Sequence, residues 1–152
     1  MSGWATCSDQ KSGAGAWVIC DATGTELSSG LGGLAEMIAA LDEKLVMFGA
    51  IRVLGEDKQE NVVSQRPKIC RINWVGSKVP AMKKMSALSG KAKVAEIWNG
   101  TACEFDANLQ SEITMNAIAV TLLASGGAHK PTQYTFGPGD EFILLADVKN
   151  KA

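Results

Sequence analysis

Between Arg66 and Lys93 the chain carries eight basic residues and not one aspartate or glutamate. They are Arg66, Lys68, Arg71, Lys78, Lys83, Lys84, Lys91 and Lys93. The same stretch has a clear local grammar. Ile69, Ile72, Trp74 and Val75 suit a pleated, buried strand over Lys68–Val75, and Gly76 with Ser77 closes it. A long helix follows. Ser77 or Lys78 precedes its first turn, and Pro80 stands inside that turn, where the amide that proline lacks has no intrahelical partner anyway. Met82 and Met85, then Val94, Ile97 and Trp98, recur at helical offsets and predict one inward stripe. Gly90 interrupts the pattern at a cost of about 1 kcal/mol relative to alanine, which predicts a bend or break near Ser89 and Gly90. In a continuous helix Lys84 and Lys91, nearly two turns apart, point the same way at a separation of about 10 Å.

The remaining residues hold seven basic and sixteen acidic side chains, so a near-neutral total of −1 conceals a cationic band on an acidic body. Such a band favours an acidic partner, although lysines on a helix are also the ordinary make-up of a solvated face. At 152 residues the chain suits one domain around one core. Its apolar runs are shorter than the roughly 20 residues that cross a bilayer, and the N-terminus carries no signal pattern, so a cytosolic address is expected. Cys7, Cys20, Cys70 and Cys103 form no CxxC pair, which points to neither a zinc site nor a disulfide framework. Cys20, Cys70 and Cys103 fall in expected strands, as buried free thiols.

Taken in order, residues 1–13 read as a flexible arm, with Trp4 as a residue that can dock on the body. Ala14–Asp21 and Thr25–Ser29 read as a hairpin turning at Thr23 and Gly24. Leu34, Met37, Ile38 and Leu41 mark a short amphipathic helix. Lys44–Leu54 is a central strand buried on both faces, Glu56–Asn61 a charged loop, and the cationic strand returns antiparallel to it. Beyond the long helix, Thr101–Asp106 reads as a closing strand. Leu109–Ala124 is a second core helix, with apolar residues at 109, 113, 117, 120 and 123 or 124, stopped by Gly126 and Gly127. From Tyr134 the chain either forms a hairpin about Gly137–Gly139 that adds an edge strand, or docks as a tail.

No catalytic constellation emerges. His129 is the single histidine and reads as a surface loop residue. Gly30, Gly32 and Gly33 precede a helix without the lysine and hydroxyl of a phosphate loop or the spacing of a dinucleotide fingerprint. Neither an enzyme nor a cofactor is expected. Nucleic acid is disfavoured as partner of the basic band, since no aromatic series interleaves with the lysines and the total charge is negative.

The segment WVGSKVPAMKKMSALSGK is similar to the long actin-contacting helix of the actin-depolymerising factor homology family, at Pro80, Lys83, Lys84, Met85, Ser89, Gly90 and Lys91. KICRINWVG resembles the coactosin branch at Lys68, Ile72, Trp74, Val75 and Gly76, as do Trp17, Val18, Ile19 and Gly24, and later Glu104, Phe105, Gly126, Gly127 and Ala128. The resemblance covers about Ala14–Ala128. It implies an α+β domain over 14–128 with the family's gelsolin-like fold, a mixed five- or six-stranded sheet with helices on both faces, and a C-terminal extension over 129–152. It further implies a monomeric, non-catalytic, cytoplasmic and cytoskeletal protein that binds actin filaments. In that role Lys83, Lys84 and Lys91 supply charge from the helix, Met85 an apolar knob and Lys68 a second anchor on the strand edge. Depolymerising or severing activity is the alternative within the fold. A module that uses the same lysines on phosphoinositide head groups is the alternative outside it.

Overall fold

The computed structural model describes residues 2–59, 61–126 and 130–150; His129, Gly127 and Ala128 of the expected helix stop and loop lie outside that set. Seven strands form one mixed sheet: β1 (Trp17–Asp21), β2 (Glu26–Gly30), β3 (Val46–Gln59), β4 (Val62–Val75), β5 (Cys103–Ala107), β6 (Gln133–Thr135) and β7 (Phe142–Leu144). Their order is β2-β1-β3-β4-β5, with β6 paired to β3 and β7 to β6. All pairings are antiparallel except β4 with β5, which is parallel because the long helix crosses over between them.

Strand alternation divides the core in two. Met47, Ile51, Val53, Cys70, Ile72 and Trp74 face one side, covered by α2 (Leu34–Ala39) and α4 (Met115–Ser125) through Leu34, Met37, Ile118, Ala119 and Leu122. Phe48, Ala50, Val18, Cys20 and Ile69 face the other, covered by α1 (Gly3–Ser8) through Cys7 and by α3 (Ala81–Ile97) through Val94 and its C-cap Trp98. The mixed sheet with helices on both faces is therefore as expected. Its two further strands come from the C-terminal residues, where the hairpin alternative holds: β6 and β7 pair about the Gly137–Gly139 turn.

Residues 3–8 are not a loose arm. They form α1, which Ser2 caps by accepting from the Ala5 amide at 3.1 Å, while the Glu26 carboxylate accepts from the Gly3 and Trp4 amides at 3.0 and 3.1 Å. Trp4 docks as expected, stacked on Trp98 with ring centroids 5.5 Å apart. Behind α1, buried Arg52 of β3 donates to the carbonyls of Cys7, Gln10 and Ser12 at 2.9–3.3 Å and so ties residues 7–12 to the sheet. Burial pushes the Cys7 thiol up to about 12 against the opposing influence of Arg52.

Other boundaries differ for physical reasons. The charged residues from Glu56 to Gln59 are paired strand, in register from Val46↔Val75 to Gln59↔Val62, because ladder bonds involve only backbone. β6 and Thr132 brace this end: the Thr132 amide donates to the Glu56 carbonyl at 2.9 Å, and the Lys58 amide to the Thr132 hydroxyl at 3.0 Å. α4 begins at Met115 rather than Leu109 because Thr114 caps it, its hydroxyl accepting from the Ala117 amide at 3.0 Å. Its buried face consequently comprises Ile118, Ala119 and Leu122.

The helix α3 runs unbroken through Gly90, which is buried. A Cβ there would stand 3.0 Å from the Cα and carbonyl oxygen of Ala22 in the β1–β2 turn, so the glycine permits a close helix-to-turn approach instead of making a break. Gly90→Val is expected to lower unfolding stability by about 1–3 kcal/mol, through overpacking against that turn. Urea unfolding followed by tryptophan fluorescence checks this.

Candidate functional site

The site is built on the way β4 delivers α3. Trp74 near the end of β4 is buried and its indole N–H donates to the Asp42 carbonyl at 2.8 Å. Beyond it, the Gly76 and Lys78 amides donate to the Leu45 and Glu43 carbonyls at 3.1 and 2.9 Å, fixing the turn into the helix. Pro80 is the N-cap and lies outside α3, with no capping side chain, and the first turn contains no acidic residue. The positive end of the helix is thus left without local compensation.

Only the second half of α3 rests on the core. Ala81–Ser86 are all exposed, while Gly90, Val94 and Trp98 are buried. Met82, Met85 and Leu88, spaced by three, are 87%, 79% and 78% exposed and form an apolar stripe on the free side. Met82 and Met85 therefore do not join Val94 in an inward stripe: at about 100° per residue, Met85, nine residues before Val94, stands on the opposite side of the helix. Exposed Lys83 and Lys84 flank the methionines.

Lys84 and Lys91 do share a direction. Both line a cleft of about 340 Å³ between α3 and the ends of β4 and β5, whose walls include Phe48, Trp74, Val75, Leu88, Asn73 and Asp106. Lys91 is held there by Glu104 of β5 at 3.4 Å. The other Glu104 oxygen accepts from buried Arg71 and, at 3.1 Å, from the Asn73 side-chain amide, which also donates to Asp106 at 2.8 Å. Burial pushes the Glu104 carboxyl up; hydrogen bonds from Asn73 and Arg71 and the charges of Arg71 and Lys91 outweigh it, so the net shift is downward.

The eight-residue basic band is thereby sorted. Arg71 and Lys91 are paired with Glu104, and Lys78 with Glu43 at 2.9 Å. Among the described residues no ion pair involves Arg66, Lys68, Lys83, Lys84 or Lys93. Lys68 is half-buried opposite Val53, and strand alternation sends its side chain to the α2/α4 face together with Cys70, away from the face that α3 covers. The structure so gathers Lys83, Lys84, Met85 and Lys91 on one helix and sets Lys68 apart. The exposed apolar residues Met82 and Leu88 were absent from the sequence-based set; a three-residue spacing continued to position 88 was the available signal.

Among the described residues no group of three or more His, Cys, Asp or Glu side chains is arranged to hold a metal, and no helix is long and apolar enough to cross a membrane.

Residues 5–122 match the model of the cofilin/tropomyosin-type actin-binding proteins. The chain belongs to that family. It is 29% identical to coactosin from Entamoeba histolytica over 102 residues, which is 66% of each chain. The crystal structure of that coactosin superposes with a TM-score of 0.66 at 24% identity, covering 82% of this chain and 91% of the other. Human coactosin-like protein gives 0.66 at 22% identity, covering 83% and 85%. Mouse coactosin, an actin filament binding protein, gives 0.58 at 22% identity, covering 82% and 84%. This cofilin-family chain is thus coactosin-like in sequence and fold.

Glu104 pairs with Arg71 and Lys91, and its effect on stability has a definite pH sense. A carboxylate with a lowered folded-state pKa contributes stability that is present above its unfolded value, near 4.5, and is lost as pH falls through the folded value. Glu104→Gln is expected to cost about 1–2 kcal/mol at pH 7, discounted because the carboxylate side chain is 44% exposed. The deficit should shrink toward zero as the pH is lowered below 4 or so, measured by paired denaturant titrations.

Proposed function

We propose that this protein binds actin filaments in the manner of a coactosin, without catalysis, using the exposed first half of α3. One observation carries the reading: in a family of actin-binding proteins, this chain leaves the N-terminal half of its signature helix off the core, uncapped, cationic and edged with apolar side chains. Lys83 and Lys84 and the positive helix end attract an acidic actin surface over a distance. Met85, with Met82 and Leu88, supplies the apolar contact that holds once charge has steered the encounter. Lys91 contributes less free charge because Glu104 already faces it at 3.4 Å, and it serves to orient the cleft side of the helix. Lys68 acts as a second anchor reached around the sheet edge. The mouse relative's description as an actin filament binding protein supports the polymer as target, and the partner implies a cytoplasmic, cytoskeletal location.

Co-sedimentation with actin filaments tests this. The protein is expected to pellet with filaments while actin recovery stays unchanged, and binding should weaken steadily as ionic strength rises. Lys83→Ala/Lys84→Ala should weaken it about tenfold, since two exposed interface charges contribute roughly 0.5–1 kcal/mol each. Lys68→Ala should weaken it independently. Transfer of actin to the supernatant would point to a depolymerising factor instead. Binding to phosphoinositide vesicles with no pelleting would point to a lipid-head-group module.

A further inference from the structure

Cys70 and Cys103 are far apart in sequence but directly paired across the parallel β4–β5 ladder. Neighbouring strands lie about 4.8 Å apart, within the Cα separation of about 4.4–6.8 Å that a disulfide spans. Both side chains leave the sheet on its α4 side, and the two sulfurs are already in contact at 3.5 Å. Closing the bond takes the sulfurs from 3.5 Å to about 2.05 Å, by side-chain rotation together with an approach of about 1 Å between the two Cβ atoms. The pair is also asymmetric. Cys70 is fully buried and Cys103 is half-buried at the first residue of β5, so a small solute reaches the second sulfur first.

We propose that Cys70 and Cys103 form a peroxide-sensitive thiol–disulfide site, with Cys103 as the attacking sulfur and Cys70 as the resolving one. The Cys103 thiolate attacks a hydroperoxide oxygen; the O–O bond breaks, a sulfenic acid forms, and the departing oxygen takes up a proton to leave as water. The Cys70 sulfur then attacks Cys103, the S–S bond forms, the S–O bond breaks, and a second water departs. Two thiols lose two electrons and two protons to one hydrogen peroxide, which is reduced to two waters.

The surroundings favour this division of labour. The hydrogen bond shared with Cys70 holds the Cys103 thiol below its ordinary value, aided by the Ser125 hydroxyl and the Lys68 charge against burial and the Glu104 charge. The same contact, with burial, pushes Cys70 up. Cys7 and Cys20 lie on the opposite face, where desolvation raises both to about 12, so the sheet itself separates them from the reactive pair. The cross-link closes a loop that contains all of α3. In a reducing compartment such a bond is formed transiently and reversed by thiols.

The test is titration of the full-length folded protein with hydrogen peroxide, followed by thiol counting after unfolding and by peptide mapping. The expected result is a fall from four free thiols to two, with one intramolecular Cys70–Cys103 peptide pair that dithiothreitol restores. Cys70→Ser should stop at a sulfenic acid on Cys103 that dimedone traps, and Cys103→Ser should keep its Cys70 thiol at the same peroxide dose. Survival of all four thiols would overturn the proposal, as would earlier loss of Cys7 or Cys20, or passage of Cys103 to sulfinic acid with Cys70 intact. If either variant fails to fold, the peptide map of the unaltered protein decides alone.

Discussion

The contact on which this molecule depends is the seating of α3 at Gly90, Val94 and Trp98. The missing Cβ at Gly90 lets the helix lie against the backbone of Ala22 in the β1–β2 turn, and Val94 with Trp98 buries the adjoining turns. A helix anchored at one end by so few residues leaves its other end at the surface, where Ala81–Ser86 are all exposed. Ala81–Ser86 thus satisfy no packing demand and are free to combine charged and apolar side chains. Trp98 also connects the anchor to the N-terminus through its stack with Trp4, so α1, α3 and the β1–β2 hairpin form one supported unit.

Charge is handled differently at the two ends of the helix. On the cleft side near the anchor, Glu104 pairs with Arg71 and Lys91 together, and Asn73 ties that carboxylate to Asp106. Near the free end the uncapped first turn adds the partial positive charge of the helix backbone. The net result is a contrast between the paired cleft-side cations Arg71 and Lys91 and the exposed first turns, where Lys83 and Lys84 have no ion pair among the described residues.

Much of the fold was legible in the residues. The apolar runs of β1, β3 and β4, the amphipathic α2, and the strand-turn-helix around Trp74 all announce themselves, because burial on a sheet face leaves a compositional trace. What escaped was whatever depends on a contact distant in sequence. Arg52 reads as an oddity in a hydrophobic strand until its guanidinium is seen bonding the carbonyls of Cys7, Gln10 and Ser12, and only then does the N-terminal segment become ordered structure. Gly90 has the same propensity whether it breaks a helix or seats one; the position of Ala22 decides. Glu56–Gln59 look like loop because their side chains are charged, yet the ladder they join is made by backbone. At the site, Lys84 and Lys91 were correctly placed on one side by helical spacing. The separation of Lys68 onto the other face follows from strand parity, which charge counting alone ignores. The outward turn of Met82 and Met85 lies in the helical phase, since nine residues set Met85 opposite Val94, whereas a three-residue spacing taken alone describes a core stripe and an interaction stripe equally.

The most direct measurement is hydroxyl-radical footprinting of the protein alone and on actin filaments, read as oxygen addition at individual side chains: sulfoxide at methionines, hydroxylation at phenylalanine and leucine. Met37 and Met47 are buried and serve as unreactive references. The account predicts that Met82 and Met85 label readily in the free protein and are protected severalfold on filaments, while Phe142 and Leu144 on the C-terminal hairpin label equally in both states. Equal labelling of Met82 and Met85 with and without saturating filaments would contradict it.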